Sequence, residues 1–176
     1  MSLDTLILLQ KAIAFAAIVL LLIAAYSDIK TLKIPNTLVL AIGALGIVRL
    51  ILLADPIAVI FAFGFAALIF LIGFVLFSRG MIGAGDVKLL IATVLLIRYP
   101  NLFTFLLRMS IIGALLSVVI LVLRSYVPLF LGPRVGSYLT TLRAVPYGVA
   151  IAGAGIITIL LQPLLFGYAV SLPSFL

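Results

Sequence analysis

Two carboxylates stand at the borders of long apolar runs: Asp28, in Tyr26-Ser27-Asp28-Ile29-Lys30, and Asp86, in Gly83-Ala84-Gly85-Asp86-Val87-Lys88. Ionisable groups at membrane depth are costly and mark functional sites by default. Two carboxylates that can meet suffice to activate a water. The ionised one takes its proton, and the protonated one donates to a carbonyl under attack. Close like charges make such a pair titrate jointly, and partial burial raises the second step further. Gly83 and Gly85, without Cβ atoms, would permit positive φ and close approach beside Asp86.

Each aspartate also has a plainer reading. Asp28 lies at the C-terminal end of its helix, against the macrodipole, and an interfacial ion pair with Lys30 or Lys33 would offset that. Asp86 could cap the helix that follows its glycines. The remaining acids, Asp4 and Asp55, read as helix caps, the latter with Pro56 at the first helical position.

The composition says where these groups must work. Of 176 residues 67% are hydrophobic and 9% charged, with a mean hydropathy of +1.56. An ordinary soluble domain carries roughly 25% charged residues, so too little polar sequence is present to coat a water-facing surface. There is no Glu, His or Cys. Missing His and Glu exclude a His-Glu-x-x-His metallopeptidase, and missing His excludes a Ser-His machine. A Ser-Lys pair, Ser27 or Ser78 with Lys88, stays open. The absence of Cys excludes disulfides and thiolate chemistry and leaves the redox compartment undetermined. Nothing calls for a cofactor or a metal. The net charge of +7 comes from eleven Lys and Arg near the ends of apolar runs. That pattern reads as topology signalling and lipid headgroup contact, and it lacks the clustered basic face of a nucleic-acid binder.

The expected fold class is all-α: a polytopic membrane protein of about six transmembrane helices, forming one membrane-embedded unit over residues 1–176. Apolar runs predict helices at about 5–26, 37–53, 56–77, 87–99, 102–124 and 146–168. The first reads as a retained span rather than a signal peptide. The fourth is short, with a start as early as Ile82 or a place behind its neighbours. Asn36 is expected to cap the second helix after Pro35, and Arg98-Tyr99-Pro100-Asn101 to separate the fourth from the fifth. In the connection from Ser125 to Val145, a short interfacial helix is expected over Val135 to Arg143. Small residues four apart in the last helix, Gly148 with Ala152 and Ala150 with Ala154, read as packing. Lys30, Lys33, Arg79, Lys88, Arg124, Arg134 and Arg143 fall on one side of the six-helix scheme. Lys11, Arg49, Arg98 and, less clearly placed by the scheme, Arg108 fall on the other, so the first side is expected to be cytoplasmic.

Two spans separate Asp28 from Asp86, so both face the same side. In order along the chain stand Asp28, then Lys30, Lys33, Ile34, Pro35 and Asn36; then Gly83-Ala84-Gly85-Asp86 with Lys88; then Pro146-Tyr147-Gly148. This ordered set resembles the prepilin peptidases, or type IV leader peptidases, among the Gly-x-Gly-Asp membrane aspartic proteases. The resemblance implies that Asp28 and Asp86 are the catalytic pair. It further implies removal of short basic leaders from prepilin or pseudopilin precursors at the cytoplasmic face of the inner membrane. Larger relatives add a Cys-x-x-Cys segment and N-methylate the product. With no Cys and no room for that segment, the chain resembles short, peptidase-only forms such as those of Flp/Tad-type pilus systems, or the short archaeal preflagellin-type enzymes. Lys30 and Lys88 read as lysines reaching the interface or as modulators of the pair. Two other functions compete: a small proton- or cation-coupled transporter using the aspartates as a relay, and a non-catalytic membrane subunit that packs by its small residues. The oligomeric state is left open.

Overall fold

The computed structural model describes residues 2–131 and 145–169, with helices throughout and no strand among them. Six helices follow in order: α1 (Leu3–Thr31), α2 (Asn36–Leu53), α3 (Pro56–Ser78), α4 (Ala84–Leu96), α5 (Leu102–Leu131) and α6 (Tyr147–Ala169). A single 3-10 turn, Tyr99–Asn101, joins α4 to α5. By length and apolarity α1, α2, α3 and α5 can each cross a membrane, and α6 is apolar over the shorter stretch Tyr147–Gln162. The protein is an all-α, multi-pass membrane protein. Large apolar side chains such as Phe15, Leu40, Ile60 and Phe103 face outward, as a lipid solvent requires.

Local chemistry sets most boundaries. Asp55 Oδ1 accepts a bond from the Ile57 N–H at 3.0 Å, so this side chain caps α3 as expected, with Pro56 following. At the N-terminus the cap is Ser2 rather than Asp4: its hydroxyl accepts from the Thr5 N–H, while Asp4 sits in the first turn and suits the dipole. The second helix also departs from expectation. Pro35 is its N-cap, without a side-chain cap bond, and Asn36 is already helical. The Asn36 amide is used elsewhere, as described below. Helix α1 runs five residues past its expected end, so Asp28 lies inside its last turns. Helix α5 continues to Leu131, beyond the expected 124. The interfacial helix expected over Val135 to Arg143 lies outside the described residues.

Helix α4 has 13 residues, roughly 20 Å at 1.5 Å per residue, and it is central rather than peripheral. It packs against α2, α3 and α6, with Leu89, Ala92, Thr93, Val94, Leu95 and Leu96 buried. Helix α6 packs on α1, α4 and α5 through buried Ala150, Ala152 and Ala154, which is the packing role expected of its small residues. The α2–α4 contact is close: a Cβ at Gly46 would lie 2.6 Å from Leu95 Cβ and 3.0 Å from the Leu95 carbonyl carbon. Because backbone cannot yield as a side-chain tip does, Gly46→Ala is expected to destabilise the bundle by about 1–3 kcal/mol. The thermal unfolding midpoint in detergent measures this. A midpoint equal to wild type would mean that the helices separate freely.

Candidate active site

Four segments distant in sequence meet at one end of the bundle: the last turns of α1, the α1–α2 connection, the start of α4 and the start of α6. Between them lies a cleft of about 330 Å³ lined by Asp28, Leu32, Lys33, Ile34, Asn36, Gly83, Ala84, Gly85, Asp86 and Lys88. That volume suits a small ligand or an extended segment of peptide.

Asp28 is 4% exposed. Its charge opposes the dipole of its own helix, and the offset comes from α6 rather than from a neighbouring lysine. The Gly148 N–H donates to Asp28 Oδ2 at 2.7 Å, and the neighbouring Val149 N–H adds a favourable field at the carboxylate. First-turn N–H groups have no partner within their own helix and carry its positive end. Lys30 instead holds its ammonium 5.8 Å above the Tyr26 ring.

Asp86 stands in the first turn of α4, three residues after the N-cap Gly83. Its carboxylate turns back toward the Gly83 N–H, which favours its ionised form, in the manner of the reciprocal half of a capping box. Capping and exposure to the cleft are therefore compatible in this residue. The Gly148 N–H acts on Asp86 as well, so one backbone donor serves both carboxylates. Burial first, and the Asp28 charge second, push the Asp86 carboxyl up to about 6 against the pull of the Gly83 and Gly148 N–H groups.

The glycines act through space rather than through unusual backbone. Gly83 has φ −73°, and the positive-φ glycine among the described residues is Gly80, so the expected positive φ beside Asp86 is not found. A Cβ at Gly83 would lie 3.0 Å from Asp86 Oδ2, whereas one at Gly85 would meet Ile34 Cβ at an ordinary 3.6 Å. Asn36 and Lys88 join across the cleft: Lys88 Nζ donates to Asn36 Oδ1 at 3.2 Å, tying α4 to α2. Pro35 stands one step back as the cap of α2. Among the described residues no three His, Cys or acidic side chains converge as a metal site.

A family model described as the type IV leader peptidase family matches residues 15–118, more than half of the chain. The chain belongs to the type IV leader peptidase family. The matched segment includes both Asp28 and Asp86, and the membership makes this chain a peptidase. No curated protein and no solved structure matches it. Gly148, beyond the matched segment, is the site residue that helical spacing concealed. Its four-residue interval to Ala152 reads as packing, and only its place after Pro146-Tyr147, last in the ordered set of sequence motifs, pointed to the site.

Proposed function

We propose that this leader peptidase family member is an aspartic endopeptidase that removes short basic leaders from prepilin-like precursors, with Asp28 and Asp86 activating one water. The observation that carries the reading is the convergence of both carboxylates on one cleft, with the Gly148 N–H acting on each. In this scheme Asp86 holds the proton and donates it to the scissile carbonyl oxygen. Asp28, its charge met by the Gly148 and Val149 N–H groups, takes a proton from the attacking water. Lysine-rich flanks on this side of the membrane support a cytoplasmic site in the inner membrane. A cleft at the membrane boundary suits cleavage beside a substrate's hydrophobic helix. Flp/Tad-type pilins or pseudopilins are the proposed precursors.

The test is cleavage of purified prepilin-like precursors by the purified protein in detergent, read by gel mobility. Loss of a leader-sized fragment supports the reading. A folded protein that cleaves none of them, yet carries cations into proteoliposomes, would favour the transporter instead.

The pH profile adds a second expectation. A raised carboxyl is protonated at and below about pH 6 and loses its donor role as pH rises through that value. The precursor cleavage rate is therefore expected to show a descending alkaline limb centred near pH 6, above the range of an ordinary carboxylate. A rate that is flat from pH 5 to 8 would exclude Asp86 as the proton donor.

A further inference from the structure

The connection from α1 to α2 runs only from Leu32 to Pro35, and its backbone is held at several points. Leu32 takes the left-handed conformation, φ 52° and ψ 30°, and its N–H bonds the Asp28 carbonyl at 2.9 Å. That region is costly for a residue with a Cβ and persists only where the surroundings over-determine it. Two hydroxyls of α1 do so here. Ser27 Oγ donates to the Lys33 carbonyl at 2.9 Å. The Thr31 hydroxyl is shared between the Lys33 and Ser27 carbonyls, at 3.1 and 2.9 Å. On the other flank, Pro35 restricts the residue before it to extended backbone. The residue fixed between these anchors is Ile34. It is half-buried, packs on the main apolar core and lines the cleft of the two aspartates. Its Cδ1 stands between two helix starts: a Cβ at Gly148 would lie 3.0 Å from it, and one at Gly85 3.9 Å. Gly85 immediately precedes Asp86 at the start of α4, and Gly148, at the start of α6, is the N–H donor to Asp28.

We propose that Ile34 is a positioning residue for the two aspartates: its Cδ1 is a spacer between the starts of α4 and α6 and sets how far Asp86 stands from Asp28. The inference rests on the aspartic peptidase reading and adds to it a side chain that exchanges no proton. Close-packed apolar atoms transmit strain rather than absorb it, so α4 and α6 cannot approach each other here while this methyl is in place. The hydroxyl bonds of Ser27 and Thr31 keep the spacer from sliding along the cleft. Ile34→Val removes Cδ1 and keeps the β-branch, so it frees both helix starts with the least damage to the core. Ile34→Ala removes both γ carbons as well and opens the wall of the cleft.

The experiment measures kcat, KM and the thermal midpoint for full-length Ile34→Val and Ile34→Ala in detergent, with purified prepilin-like precursors. Ile34→Val is then repeated in the Asp28→Asn protein under single-turnover conditions. Ile34→Val is expected to lower kcat about tenfold and Ile34→Ala on the order of 10²-fold, the scale of a reacting group misplaced by an ångström. KM should stay within about twofold of wild type, because the interaction lost is one made in the transition state. In the Asp28→Asn protein Ile34→Val should cost nothing further, since a spacer acts only through the carboxylate pair. A purely structural role would instead multiply onto the Asp28→Asn loss. Should Ile34→Ala not fold, Ile34→Val carries the test alone. An unchanged kcat, a loss carried by KM, or losses that multiply would overturn the inference, while cleavage by the wild type leaves the peptidase reading standing. A folded wild type that cleaves no precursor would overturn both.

Discussion

Asp86→Asn is expected to lower precursor cleavage on the order of 10³-fold, the scale of a lost general acid. The substitution is nearly isosteric. An asparagine Oδ1 can still face the Gly83 N–H, so the start of α4 keeps a polar group beside its first N–H. What disappears is the proton that the half-buried carboxyl holds up to about pH 6. The stability effect has the opposite sign. A carboxyl raised in the folded state contributes stability below its ordinary value and loses it as pH rises through about 6. At pH 8 the variant should therefore unfold at a midpoint equal to or above wild type. Cleavage lost together with stability would indicate a structural role for Asp86, and cleavage retained would remove it from the chemistry.

Gly148→Ala is expected to be the most damaging of the small substitutions, lowering cleavage on the order of 10²-fold through misplacement of a reacting group. The new Cβ would lie 2.6 Å from Asp28 Oδ2, 3.0 Å from its Cγ and 3.0 Å from Ile34 Cδ1. Either the start of α6 retreats and the 2.7 Å N–H bond is lost, or Asp28 swings away from the cleft. Both outcomes act on kcat more than on KM. Gly153→Ala is the control on the same helix, where a Cβ would meet Ile112 Cδ1 at an ordinary 3.7 Å. Equal activity in the two variants would show that Gly148 is only a packing residue. Measuring cleavage and thermal midpoint side by side distinguishes a displaced carboxylate from a damaged bundle.

Much of the fold is legible in the chain because each signal is local. The apolar runs mark the helices, and Asp55-Pro56 and Arg98-Tyr99-Pro100-Asn101 carry the chemistry of the breaks they make. The errors arise where a side chain has a distant use. Asn36 looks like a cap after Pro35, yet its amide accepts from Lys88, 52 residues away. Asp28 looks like the partner of a nearby lysine at the end of α1, yet its partner is the backbone of Gly148, 120 residues on. A backbone N–H leaves no mark in residue identity, and a glycine's lack of Cβ is informative only once its neighbour is known. The same-side placement of the two aspartates follows from counting spans. Their meeting at one cleft depends on α4 packing between α2 and α6, which no single run encodes.

The most direct measurement compares precursor cleavage by Asp28→Asn, Asp86→Asn and the double variant. Two carboxylates that share one water act as a unit, so each single change should lose about as much rate as both together. Losses that simply multiply, or appreciable cleavage surviving in either single variant, would contradict a shared water between Asp28 and Asp86.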